Sequence, residues 1–298
     1  MPGNESPYFR IQEIGDGIWA ALAKPGSGAW SNAGIVHLGD SALVIDAMYT
    51  PAAGAALREA AERLTKKSVR WLVLTHRDYD HVLGAQAFSG ATVVATGVTA
   101  QSIQRRVPEY VAAVRADGGE YVASLEAEAR EQDDSHERLQ RLAVVSEHRA
   151  LLQDVDRLAP LYPNMAIGDE LTIHGSGRQA QVLSFGGVHT ESDSVVFLPE
   201  ARVLFCGDIV QIGYHPAVRH GTPQDWPAVM RPIADLEADV VVSGHGPVGS
   251  REDVLLAERY YYELPEWAAG HPVPEPFASW DASQTLVANL RYAAGPVR

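Results

Sequence analysis

The densest chemistry in the sequence is His76-Arg77-Asp78-Tyr79-Asp80-His81, a His-x-Asp-x-Asp-His run where the apolar stretch Trp71-Leu72-Val73-Leu74 ends and a glycine-containing loop begins. Imidazole and carboxylate bind hard and borderline divalent cations, and this run offers four such donors together. Three more stand after apolar runs: His189 in Val188-His189-Thr190, Asp208 in Cys206-Gly207-Asp208, and His245 in Gly244-His245-Gly246-Pro247. The set His76, Asp78, Asp80, His81, His189, Asp208 and His245 suits two metal ions with three ligands each and one shared carboxylate, leaving room for water. Singly, each has a plainer reading as a solvated turn, a loop histidine or a turn cap. Their joint position at strand ends favours metal. Cys206 could add a soft ligand, but its apolar neighbours indicate a buried, inert thiol. His37, His136, His148, His174 and His271 lack such a setting and read as structural or exposed.

The elements that must position these residues are legible from patterning. Residues 9–14, 17–22, 34–38 and 42–47 are short, rich in Val, Ile and aromatics, and separated by Gly-Asp or Gly-Ser turns, which predicts a β-meander. An Ala-rich amphipathic helix over 52–64 precedes a strand at 69–74, and another strand is expected at 91–95. A helical insertion at about 98–160 follows, with Val107, Val111, Val114, Tyr121 and Leu125 on one face, and a break expected near Gly118-Gly119. Leu139, Leu142, Val145, Leu152, Val155 and Leu158 form a second face, capped by Asp134 or Ser135. The insertion reads as packing helices, with a lid or dimer surface as the alternative. Strands return at 171–174, 181–185, 194–198, 203–205 and 240–243, and helices are expected from Ser250 to about Tyr262 and over 282–293. No simple repeat is present, but the order of elements suggests two similar βα halves.

The chain has 298 residues, 46% apolar and 21% charged, and no linker divides it, so a single domain over 1–298 is expected. A formal charge of −14 without a basic cluster argues against nucleic acid as a partner. Residues 1–20 lack a secretory leader's basic start and apolar core, and no run approaches a membrane span of roughly 18 apolar residues. One cysteine allows no internal disulfide. The expectation is a cytoplasmic protein acting on a small molecule, without membrane or nucleic-acid partners; a homodimer is an open option.

The pattern resembles the metallo-β-lactamase superfamily, whose His-x-His-x-Asp-His signature is followed by a separate His, an Asp and a final His. The match runs through His76, Asp80 and His81, then His189, Asp208 and His245, and extends from Asn32-Ala33-Gly34 through Leu43-Val44-Ile45-Asp46 to Pro247. The resemblance implies an α/β fold, a four-layer αβ/βα sandwich with two mixed sheets. It places two divalent metals, zinc in the first instance: His76, Asp78 and His189 at one site, Asp80, His81 and His245 at the other, Asp208 bridging, and Asp80 as the catalytic residue orienting a metal-bound hydroxide. Asp78 departs from the family by replacing a histidine. Its carboxylate adds negative charge, which should leave the bound water less acidic, and its hard oxygen moves preference toward Fe or Mn. Asp78 could also fail to bind and leave one metal.

The function expected is metal-dependent hydrolysis of a small ester, thioester, lactone or amide. Tyr214, His215 and His220, which follow the Asp208 strand, are candidate substrate contacts, and Trp30, Tyr49, Tyr79 and Trp226 fall in or near loops. The alternatives are a non-haem iron or diiron oxidoreductase using the Asp78 site, a β-lactam hydrolase, a ligand-binding protein without turnover, and, least supported by charge, an RNA-processing nuclease.

Overall fold

The computed structural model describes residues 5–295, so the first four residues of the segment read for a leader lie outside the described residues. Among the described residues the strands form two mixed sheets, of seven and six strands. Two compact units carry them: the first runs to Ala166 and takes in Gly175–Gly177, and the second comprises Ile167–His174 and the described chain from Arg178 onward. No helix among the described residues is long and apolar enough to cross a membrane.

In the first unit, β1 (Phe9–Gly15), β2 (Ile18–Ala23), β3 (Ala33–His37) and β4 (Ala42–Ile45) form the antiparallel meander. The helix α1 (Pro51–Thr65) then crosses over to β5 (Val69–Val73), which runs parallel to both β4 and β6 (Thr92–Thr96). Thr50 caps α1, its hydroxyl accepting from Ala53 N–H at 3.1 Å, and Pro51 sits at the first position, where its missing N–H leaves nothing unpaired. Leu57, Ala53 and Ala61 bury the inner face of the helix. Because β4 and β5 are parallel, with Ile45 beside Val73, their C-terminal ends leave the sheet side by side. That register delivers Asp46 to Thr75 and the ligand loop.

After the single turn α2 (Tyr79–Val82), the insertion consists of α3 (Gly97–Glu131), capped by Thr96, and α4 (Ser135–Asp154), capped by Asp134, before β7 (Met165–Ile167). The break expected at Gly118-Gly119 does not occur; α3 runs through both glycines and Pro108. A Cβ at Gly118 would lie 2.6 Å from Leu152 Cδ2, so glycine here permits close approach of α4. Burial of Val107, Val111, Val122, Val145 and Leu151 offsets a helical glycine penalty of about 1 kcal/mol. Leu139, read as part of the second face, is exposed.

In the second unit the sheet order is β13 (Val248–Gly249), β12 (Val240–Val242), β11 (Val203–Phe205), β10 (Asp193–Leu198), β9 (Gln179–Gly186) and β8 (Glu170–His174). Strands β11 and β12 are parallel and β10 is antiparallel to β11, so the start of β10 and the ends of β11 and β12 share one edge. The loops carrying His189, Asp208 and His245 leave there. Helix α5 (Trp226–Ala234), whose Pro227 and Pro232 hide its pattern in the sequence, packs with α6 (Arg251–Ala268) and α7 (Ser283–Ala294) over a core that includes Trp226, Met230, Tyr260, Tyr261 and Phe277. The capping box at Ser250 and Asp253 starts α6 as expected. The helix continues past Tyr262 to Ala268 because Leu264 and Trp267 extend the buried stripe of Tyr260 and Tyr261.

Glu147 of α4 fastens the insertion to the loop after β2: its buried carboxylate accepts Gly26 N–H and Gly28 N–H, each at 2.6 Å. Burial outweighs these bonds and pushes the carboxyl up to about 7 from its ordinary 4.5. The folded protein therefore holds this proton more tightly than the unfolded chain, and the stabilisation, complete below the ordinary value, is lost as pH rises through about 7. Between about pH 5 and about pH 8 the wild type should lose about 2 kcal/mol relative to Glu147→Gln in thermal or denaturant unfolding. Parallel pH profiles for the two proteins would show that this carboxyl does not titrate in the interval.

Candidate metal centre

In the first unit the ligand loop is organised by Asp46, a buried residue with a left-handed backbone (φ 59°) at the end of β4. Its Oδ1 accepts Thr75 N–H at 2.8 Å, and its Oδ2 accepts the Thr75 hydroxyl at 2.9 Å and His81 Nδ1–H at 2.9 Å. A hydroxyl has one proton, so with that proton on Asp46 the Thr75 oxygen accepts from His76 Nδ1–H, also at 2.9 Å. The network thus assigns the proton to Nδ1 in both imidazoles and the lone pair to Nε2, the form in which histidine ligates a cation. The rings of His76 and His81 lie 4.2 Å apart, and Asp80 Oδ2 stands 3.5 Å from His81 Nε2. Asp46 lies within the same cluster, but its oxygens hold the histidines, which makes it their support rather than a ligand.

Asp78 is paired with its neighbour. Arg77 Nη1 donates to Asp78 Oδ1 at 2.7 Å, with both side chains largely buried. The guanidinium offsets the charge that replacing histidine by aspartate adds, a contribution from Arg77 that the sequence-based charge count leaves out. The bond occupies one of the two carboxylate oxygens of Asp78.

In the second unit Asp193 builds the His189 turn. Its carboxylate accepts the N–H groups of Val188, His189 and Thr190 and the Thr190 hydroxyl. Gly187 is required in this turn, since a Cβ would lie 2.1 Å from Thr190 O. His189 Nδ1 donates to Ala217 O at 2.8 Å, again placing the lone pair on Nε2. Asp208 Oδ2 lies 3.6 Å from His189 Nε2 and 3.3 Å from His245 Nε2. Two donors on one tetrahedral ion with bonds of about 2.0–2.2 Å stand about 3.3–3.6 Å apart, so these spacings, and the 3.5 Å between Asp80 and His81, are those of ligands sharing a cation. The residues present fit divalent metal.

The candidate substrate residues are placed differently from one another. Tyr214 is half-buried, with its ring against Gly246 beside His245; its hydroxyl is pushed up by burial and by the Asp281 carboxylate. His220 is exposed, its carbonyl accepting Trp226 Nε1–H at 2.9 Å. His215 is buried against Tyr260 and Trp280, its Nδ1 3.2 Å from the Tyr260 hydroxyl, and burial pulls its pKa down to about 4. Cys206 is buried, its thiol directed at Val242 O and pushed up by burial. Sequence reading passed over Thr75, Arg77, Asp193 and Arg219, whose Nη2 is 3.4 Å from His189 Nε2. It also passed over His148, which shares a hydrogen bond with Tyr49 and lines a cavity. Of these only Arg77 carried a signal, by its place inside the motif.

Residues 31–245 match the model of the metallo-β-lactamase superfamily, and the chain belongs to that family. Its two mixed sheets with their helices are the α/β sandwich fold of the metallo-β-lactamases. Similar solved structures include a metallo-β-lactamase from Pontibacter korlensis, 18% identical with a TM-score of 0.58, covering 85% of this chain and 98% of that one. Another is the FIM-1 metallo-β-lactamase from Pseudomonas aeruginosa in a mono-zinc form, 18% identical with a TM-score of 0.60, covering 88% and 97%. A third, from Hirschia baltica, is 17% identical with a TM-score of 0.58, covering 85% and 98%. No curated protein matches the sequence.

Replacing Asp46 by Asn puts an amide donor against Thr75 and His81 and releases the histidine tautomers. Metal affinity of Asp46→Asn, measured by competition with a chromophoric chelator, should fall about 10–100-fold while the protein still unfolds cooperatively. An unchanged affinity would show that Asp46 does not orient the donors.

Proposed function

We propose that the protein is a metal-dependent hydrolase of a small ester, thioester, lactone or amide. The reading is carried by the tautomer-fixed histidines and the carboxylates set at ligand spacing beside them, in a chain of the metallo-β-lactamase superfamily, whose members are mostly hydrolases. His76, Asp78 and His189 would hold one divalent ion, Asp80, His81 and His245 a second, and Asp208 would be shared. Such ions, when bound, supply Lewis acidity toward a carbonyl oxygen and bring the pKa of water to about 7. The chain's own contribution is to orient and to move protons. Asp80 orients the attacking water and accepts its proton at the carboxylate, and Asp46 and Asp193 keep the histidines in place. Tyr214 and His220 face substrate, and Arg219 donates to its oxygen. His215, buried and neutral, holds the Tyr214 loop against α6.

Zinc is the metal this reading favours. The hard oxygen of Asp78 alone would draw the site toward Fe or Mn, but Arg77 holds that carboxylate and balances its charge. A second reading, a non-haem iron oxidoreductase, rests on Asp78 itself as the residue in a histidine's place.

Zinc-loaded protein should turn over at least one class in a panel of chromogenic esters, thioesters, lactones, anilides and a cephalosporin, and lose activity to a chelator. Asp80→Asn should lower kcat about 10²–10⁴-fold on that substrate. Activity confined to an iron form that consumes dioxygen would overturn the hydrolytic reading in favour of the oxidoreductase.

A further inference from the structure

Within the first unit, between α3 and α4, lies a cavity of about 300 Å³. Its apolar lining comes from Val114, Val122, Leu151 and Leu152, and the rings of Tyr110 and His148 join it. The Tyr110 hydroxyl and His148 Nδ1 are engaged with each other through Tyr49, whose hydroxyl meets the Tyr110 hydroxyl and stands 3.0 Å from His148 Nδ1. Apart from Asp117, the surface the cavity offers is mainly ring carbon and aliphatic side chain. Tyr110 also connects it to the ligand loop: its ring stacks on Tyr79, with centroids 3.7 Å apart and planes within 10°, and Tyr79 lies between Asp78 and Asp80. Burial, with the nearby Asp80 carboxylate contributing, pushes the Tyr49 and Tyr110 hydroxyls up, so both stay protonated donors.

The size and charge of the cavity limit its occupant. Small-molecule pockets span about 300–1,000 Å³, so this one takes a single chain or ring rather than a peptide or a fused ring system. Asp117 among the lining residues, and a chain charge of −14, oppose an anionic tail. We propose that the cavity between α3 and α4 binds the uncharged apolar tail, an alkyl chain or one aromatic ring, of an acyl substrate whose carbonyl is presented to the His76–His81 loop. The assignment rests on the hydrolytic reading for the reactive end and on the first unit alone for the tail.

Straight-chain alcohols carry the tail without a scissile bond and separate the two readings. Isothermal titration of metal-loaded full-length protein with butanol through decanol should show affinity rising about fourfold per methylene up to a limiting length. Val114→Phe fills the cavity, as does Ala113→Phe at an exposed helix position that tolerates the larger side chain. Each should weaken octanol binding at least about tenfold, the loss expected from displacing two or more buried methylenes, with thermal unfolding still cooperative. In turnover, kcat/KM for chromogenic esters should climb from acetate to octanoate through KM in the wild type and be flat in both variants. Equal octanol affinity in the wild type and the folded variants would overturn the proposal, as would octanol binding that vanishes when the protein dimerises over this face. Chain-length-dependent alcohol binding lost in the variants, with no ester turned over, would remove the hydrolytic reading and support the tail site.

Discussion

A single buried carboxylate, that of Asp46, sets the geometry on which the site depends. It receives a backbone N–H, a hydroxyl and an imidazole N–H, and through the hydroxyl it governs a second imidazole. Its left-handed backbone costs about 1–3 kcal/mol for a residue with a side chain, and aspartate is among the few that tolerate it. The hydrogen bonds that its buried side chain accepts offset that cost. The same device recurs in the second unit, where Asp193 gathers three successive N–H groups and fixes the turn that carries His189. Each unit thus holds a carboxylate that positions the candidate donor side chains.

Parallel strand pairing makes this arrangement available. In the first unit β4 and β5 end together, and in the second β11 and β12 do, so residues far apart in sequence leave each sheet at one edge. The short strands and the glycines at their ends keep those loops tight. The Arg77–Asp78 pair shows how a substitution within the motif is accommodated locally: the added carboxylate charge is met by the adjacent guanidinium. A change that looks decisive in the motif is therefore smaller in its electrostatics than the sequence alone indicates.

The strands, the α1 crossover and the donor loops were readable because their signals are local: alternating apolar residues, a Thr-Pro start, polar residues after an apolar run. Asp46 was visible only as the end of an apolar strand, since its partners Thr75 and His81 lie 29 and 35 residues away and meet it only through sheet register. The grip of Glu147 on the loop after β2, 119 residues from Gly28, is equally non-local. Gly118-Gly119 was read by its intrinsic helix penalty, and packing against Leu152 reversed that outcome. Helix α5 escaped notice because two prolines mask nine residues of pattern. The cavity between α3 and α4 could not be located from the sequence, because it depends on how the two helices face each other.

The proposed hydrolytic function requires bound metal, and metal content tests it most directly. Elemental mass spectrometry of protein purified without added metal, with an absorption spectrum, should give about two zinc per chain, the number that three ligands each and a shared carboxylate support. No visible band should appear, and Asp78→His should leave that stoichiometry unchanged. A single metal per chain that becomes two in Asp78→His, or iron with a visible band, would contradict it.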